Sequence, residues 1–191
     1  MWMPPYLHLY ISIYFQYWKN MVLWNFHIWP SGIRPAENGF DVIILSKLIL
    51  SNSLSLSEAR FTRTSLQVVQ IHAHWGASEG RGSEHQIDGT SYDAEIHIVH
   101  YNTKYNSAGD AFDKEDGLAV LGMLVKVGDK EHPELQKICE KLAEVENPHD
   151  KTQLETAVDV GALLPKNRSF YTYPGSLTTP PLYESVTRDA K

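Results

Sequence analysis

At residues 70–76 the chain reads Gln70-Ile71-His72-Ala73-His74-Trp75-Gly76. In an extended strand, alternate side chains point to the same face, so His72 and His74 face the same way. A second extended stretch, residues 94–100, carries a third histidine, His97. If the two strands pair, the three imidazoles can converge. Three imidazoles with one coordination position left open are typical of a catalytic zinc site, so these histidines predict bound Zn²⁺.

Two polar neighbours strengthen the zinc prediction. Gln70 shares a strand face with His72, and Glu95 shares one with His97. A metal-bound imidazole needs an acceptor for its second ring nitrogen, which fixes the tautomer and strengthens the donor atom. We therefore expect Gln70 and Glu95 to support the ligands. The alternative is a group of core histidines whose hydrogen bonds are all satisfied without a metal.

The remaining pattern favours a mostly β fold with a few helices. Strands are predicted for residues 65–75 and 94–101, and the nearly continuous apolar run 117–127 predicts a buried strand. Residues 133–145 predict a helix, because a proline begins it and apolar residues recur at helical spacing.

Composition excludes several classes of protein. The 191-residue chain has a net charge of −6 and no Lys/Arg cluster, which argues against a nucleic-acid partner. Cys139 is the only cysteine, so neither an internal disulfide nor a cysteine-rich zinc site can form.

Residues 1–60 form a divergent, aromatic and apolar extension that we expect to lie outside the recognisable domain at 61–191. The first thirty residues hold four of the five tryptophans, but prolines and polar residues interrupt them. They match neither a signal peptide nor a membrane-spanning helix, so a membrane role is disfavoured. Within residues 50–57, leucine and serine alternate, which fits either a half-buried strand or a polar linker.

Residues 66 to 187 resemble the middle of an α-class carbonic anhydrase. The stretches that carry this resemblance are long and in order: residues 70–76, Gly82-Ser83-Glu84-His85, residues 94–105, residues 116–122, and Tyr171-Thr172-Tyr173-Pro174-Gly175-Ser176-Leu177-Thr178-Thr179-Pro180-Pro181. The resemblance implies a central, largely antiparallel, twisted sheet. Here that domain is expected to be incomplete, because both ends diverge from the family.

The resemblance also implies roles for particular residues. His72, His74 and His97 match the zinc ligands, and Gln70 and Glu95 match the residues that support His72 and His97. A second set completes the site. Thr178 matches the threonine that orients zinc-bound hydroxide, Glu84 matches the buried carboxylate behind it, and the apolar substrate pocket corresponds to Val99, Val120, Leu177, Thr179 and Val186.

The activity implied is the reversible hydration of carbon dioxide to bicarbonate by a zinc lyase, carbonate dehydratase. Sulfonamide-type inhibitors are implied as ligands. Leu182 stands where secreted members of the family carry a cysteine, so a cytoplasmic location is expected. His85 and His100 match structural histidines and are left outside the catalytic set.

Departures from the family leave a second function open. Residues 30–65 contain no histidine to act as the family's proton shuttle, and Arg188 replaces the family's tryptophan after Val186-Thr187. The alternative is a weakly active or inactive relative that binds zinc or a protein partner.

Overall fold

The computed structural model describes residues 9–14, 41–46, 66–76, 78–145, 150–167 and 169–190, with the backbone alone for the first two ranges. In this part of the chain the strands are β1 Leu9–Tyr14, β2 Asp41–Ser46, β3 Leu66–Trp75, β4 Gln86–Ile87, β5 Thr90–Ser91, β6 Ala94–Asn102, β7 Leu118–Val125, β8 Lys151–Gln153, β9 Tyr171–Gly175 and β10 Val186–Ala190. The helices are α1 Ala108–Ala111, α2 Pro133–Cys139 and α3 Val160–Leu163, with a 3₁₀ turn at Leu142–Glu144.

Eight of these strands form one mixed sheet in the order β8-β1-β2-β3-β6-β7-β10-β9, and β4 and β5 form a separate hairpin. Neighbouring strands are antiparallel except β7 and β10, which are parallel. The prediction of a mostly β, largely antiparallel fold with few helices is therefore confirmed. The predicted domain boundary near residue 61 and the Leu/Ser alternation both lie outside the described residues.

The centre of the sheet is built from β3, β6 and β7, close to the predicted ranges. β3 pairs with β6 so that His72 lies opposite His97 and His74 lies opposite Glu95. A β-bulge interrupts this register: Val68 pairs with His100 and Gln70 with Val99, which leaves Val69 as the extra residue.

The face of the sheet opposite the three histidines forms the main apolar core. Ile98 and Ile71 lie there, almost fully buried, together with residues of α2 and the 3₁₀ turn. Burying one such side chain contributes about 2–3 kcal/mol. The core therefore fixes β3 and β6 firmly behind the histidines.

The predicted helix at residues 133–145 is shorter in the structure. α2 ends at Cys139, and a separate 3₁₀ turn carries the chain through residues 142–144. Leu142 and Val145 still reach the core, because the turn presents them to the same side. An apolar spacing that fits one long helix also fits a short helix followed by a turn. No helix among the described residues has the length and apolar composition needed to cross a membrane.

Candidate metal centre

Three histidine nitrogens converge on one face of the sheet. His97 Nδ1 lies 3.2 Å from His72 Nε2 and 3.2 Å from His74 Nε2. Zinc bound tetrahedrally at 2.0–2.1 Å separates its nitrogen ligands by about 3.3 Å. These two distances fit one zinc ion, and all three ligand nitrogens lie within 4.8 Å of one another. Three histidines leave one coordination position of a tetrahedral ion for a fourth ligand. The sequence prediction that these three side chains meet agrees with this geometry.

Glu95 decides which nitrogen of His97 faces the other two rings. Its carboxylate accepts a hydrogen bond of 2.6 Å from His97 Nε2–H, and both side chains are almost completely buried. With the proton on Nε2, His97 Nδ1 carries a free lone pair directed toward His72 and His74. Glu95 and His97 thus make the hydrogen bond that their shared strand face led us to expect.

A second histidine holds Glu95 in place. His85 donates to the carboxylate from its backbone N–H at 2.8 Å and from its ring Nδ1–H at 2.5 Å. Burial opposes ionisation of Glu95, but the hydrogen bonds from His85 and His97 hold its pKa well below its usual range. Tyr173 continues the chain, because its hydroxyl donates to His85 Nε2 at 2.5 Å. These contacts fix the Glu95 carboxylate as an anion beneath the three rings.

His72 differs from its predicted arrangement. Gln70 lies in the expected strand, two residues before it, but His72 Nδ1 is buried without a hydrogen-bond partner, so the expected contact between them is not formed. Burial lowers the pKa of His72 well below its ordinary value, and the neighbouring His97, His74 and Arg188 charges lower it further. A neutral His72 is the form that a metal ion requires.

The hydrogen bond expected between Thr178 and Glu84 joins residues that lie 94 positions apart in the sequence. The Thr178 hydroxyl donates to Glu84 Oε2 at 3.2 Å, and the same carboxylate oxygen lies 3.6 Å from His74 Nε2. The expectation of a buried carboxylate is not met, since the Glu84 side chain is 29% exposed. Its loop is anchored at Gly82, where an added Cβ would lie 1.8 Å from the Asp93 carbonyl oxygen. Only glycine fits that close approach.

An apolar wall lies beside the three histidines. Val99, Val120 and Val186 are buried and pack together as one cluster, and the partly buried Leu177 packs against them. Thr179 is half-buried, two residues beyond Leu177. The structure thus brings together the apolar residues that the family resemblance implied for the pocket.

Two residues at this face were not predicted to belong to the site. Tyr173 reaches the His85–Glu95 pair, and Arg188 lies buried opposite Val120 and Tyr173 in the sheet. Their placement depends on the parallel pairing of β7 with β10. A local alternation of residues cannot reveal pairing between strands more than sixty residues apart, although Arg188 was visible in the sequence as a departure from the family.

Comparison with known proteins agrees with this geometry. The family model of eukaryotic-type carbonic anhydrases matches residues 33–188. A similar protein is Carbonic anhydrase 1 of Mus musculus, which is 48% identical over 124 residues. That alignment covers 64% of this chain and 47% of the mouse protein, so the chain spans about half the length of the curated relative it matches. With most of its residues matched by the family model, the chain belongs to the eukaryotic-type carbonic anhydrase family.

Proposed function

We propose that this chain binds one Zn²⁺ through His72, His74 and His97 and catalyses the reversible hydration of carbon dioxide to bicarbonate and a proton. The observation that carries the proposal is the spacing of 3.2 Å between the ring nitrogens, which matches tetrahedral zinc. Family membership supports the same chemistry. When bound, zinc supplies Lewis acidity that makes water a nucleophile near neutral pH.

Glu84 and Thr178 are proposed to orient the attacking oxygen. An ionised carboxylate can only accept hydrogen bonds, so Glu84 fixes the Thr178 hydroxyl as a donor toward it. The Thr178 oxygen is then left to accept a hydrogen bond from the nucleophile. That bond aims an oxygen lone pair at the carbon of the substrate. Holding the two reacting groups in this geometry before the reaction removes a large part of the activation free energy of a bimolecular step.

The apolar wall suits carbon dioxide. Val99, Val120 and Val186 offer a dry surface, and carbon dioxide carries no charge that a polar clamp would recognise. Attack on its carbon forms a C–O bond, one C=O bond becomes the bicarbonate oxyanion, and the proton leaves to solvent. Sulfonamides are proposed as inhibitors that would compete for the same open position. The cytoplasm is proposed as the location.

Zinc content and stopped-flow hydration of carbon dioxide, measured on the purified protein and on His74→Ala, test this function. We expect about one zinc per chain in the unmodified protein, and loss of both zinc and hydration in the variant. The matched control is His132→Asn. His132 caps α2 by accepting from the Glu134 N–H, and asparagine is a favourable cap, so this change removes a histidine while preserving the helix.

The same measurements test the second candidate, an inactive zinc-binding relative. The exposure of Glu84 favours it, because a relay open to water holds its geometry less firmly. Zinc at about one per chain, with hydration at the rate of buffer alone, would establish this second reading. Absence of zinc after incubation with the ion would contradict both.

A further inference from the structure

Arg188 places a positive charge on the same face of the sheet as the three histidines. It lies in β10 opposite Val120 in β7 and opposite Tyr173 in β9. The residue is only 5% exposed. Val120 in turn pairs with Val99 in β6, two residues from His97, so the registers place Arg188 near the metal centre.

One nitrogen of the Arg188 guanidinium lacks a hydrogen-bond partner. Its Nε and Nη2 donate to the Ser176 carbonyl oxygen at 3.3 and 2.8 Å. Its Nη1 is buried without a hydrogen-bond partner. Among the ion pairs of the described residues, none involves Arg188. On the histidine side, two histidines hold the Glu95 carboxylate and Thr178 donates to that of Glu84.

A buried cation paired only with a carbonyl dipole is unfavourable, because it has lost water without gaining a counter-charge. The aliphatic part of the side chain packs closely against β9, since the Arg188 Cγ lies 3.1 Å from the position that a Cβ on Gly175 would occupy. The other neighbours, Val120 and Val186, are apolar and make charge–charge interactions strong. An incoming anion would supply both a counter-charge and the acceptor that Nη1 lacks.

We propose that Arg188 forms an anion subsite beside the metal centre, which takes a small monovalent oxyanion of the bicarbonate class. The group that would coordinate the anion is the guanidinium itself, through Nη1, so the subsite does not depend on a metal ion. The identification of the anion with the reaction product rests on the proposed function. In that setting, Arg188 makes the pocket bind its product more tightly than an apolar residue would.

Nitrate titration of the zinc-free protein tests the subsite, because nitrate shares the charge and planar shape of bicarbonate. Binding is measured by isothermal titration calorimetry after removal of metal with a chelator. We expect saturable binding in the unmodified protein and an affinity about tenfold or more weaker in Arg188→Gln, as expected for loss of a charge-assisted hydrogen bond. Arg81→Gln is the matched control, since Arg81 is exposed and its substitution removes the same charge. Equal affinity in Arg188→Gln and Arg81→Gln would overturn the proposal.

A second measurement needs no variant. In the unmodified protein, the side-chain Nε–H resonance of Arg188, assigned through bonds, is followed during the nitrate titration. A saturable shift with the calorimetric affinity supports the subsite, and a resonance that ignores nitrate overturns it even if Arg188→Gln does not fold. The two proposals fail separately. Nitrate binding without hydration would refute the proposed function alone, whereas hydration without nitrate binding would refute the subsite alone.

Discussion

The candidate centre is made of two regions that are held in place by different means. The three histidines lie on β3 and β6, where backbone pairing sets His72 opposite His97 and an apolar core fixes the strands from behind. Thr178 and Glu84 lie on loops, both are exposed, and one hydrogen bond of 3.2 Å joins them. The three histidines are therefore held by strand pairing and core packing, whereas a single hydrogen bond joins Thr178 to Glu84.

This contrast predicts that zinc affinity and the rate of carbon dioxide hydration depend on different residues. Changes in the strands should alter zinc binding, because they move the ligands. Changes in the loops should alter catalysis while leaving zinc in place, because Thr178 and Glu84 are proposed to orient the nucleophile and are not among the proposed ligands. Three experiments follow, from the largest expected effect to the smallest. The first two test this separation, and the third tests how the buried His72 affects stability.

Thr178→Ala should lower the rate of carbon dioxide hydration about 100-fold, the usual cost of misaligning a reacting group. Zinc content should stay unchanged, because Thr178 is not among the proposed ligands and its hydroxyl donates to Glu84. Stopped-flow hydration and metal analysis check both parts. Thr178→Ser keeps the hydroxyl and should recover most of the rate. Loss of zinc from Thr178→Ala would show that the loops also hold the metal.

Gly122→Ala should weaken zinc binding about tenfold, as expected when the group behind a ligand is displaced. Gly122 lies opposite His97, and an added Cβ would come within 2.8 Å of Glu95 Oε1, which two histidines hold fixed. Competition with a chromogenic chelator measures the affinity. Gly128→Ala is the control, since nothing lies within 4 Å of its added Cβ. Equal affinities for the two variants would mean that Glu95 moves freely.

Acid should destabilise the zinc-free protein. Burial, followed by neighbouring positive charges, lowers the pKa of His72, so the unfolded chain takes up this proton first as the pH falls below about 6.5. Stability is then complete above that pH and declines below it, by at most about 1.4 kcal/mol per pH unit for each proton taken up on unfolding. Urea unfolding at several pH values measures the slope. His72→Gln should flatten it between about pH 5 and 6.5, and an unchanged slope would assign it to other groups.

The strand-borne region could be predicted from sequence and the loop-borne region only by resemblance. β3, β6 and β7 follow from alternating or continuous apolar runs, and the histidine set follows from alternation within β3. Nothing local connects Thr178 with Glu84, which lie 94 residues apart. Without the resemblance to a family, the sequence around Glu84 would predict an ordinary surface carboxylate after a turn.

The remaining differences have physical causes. The edge strand β9 was not predicted, because it is exposed on both faces and contains Pro174, which a sheet tolerates at an edge. The contact between Gln70 and His72 was expected from a shared face, but a shared face does not fix the direction of a side-chain amide. Arg188 became part of the site only through the parallel pairing of β7 and β10.

The bulge at Val69 has a consequence for how this strand tolerates changes in length. Losing one residue normally inverts every side chain on one side of the deletion. In a regular strand, Val68 and Gln70 would point to the same face because they lie two positions apart. Here Val68 packs in the core, whereas Gln70 lies on the histidine side. Removing Val69 would make Val68 and Gln70 neighbours that alternate normally, with both cross-strand partners kept. Deletion of this one residue should therefore leave the positions of the three histidine rings unchanged.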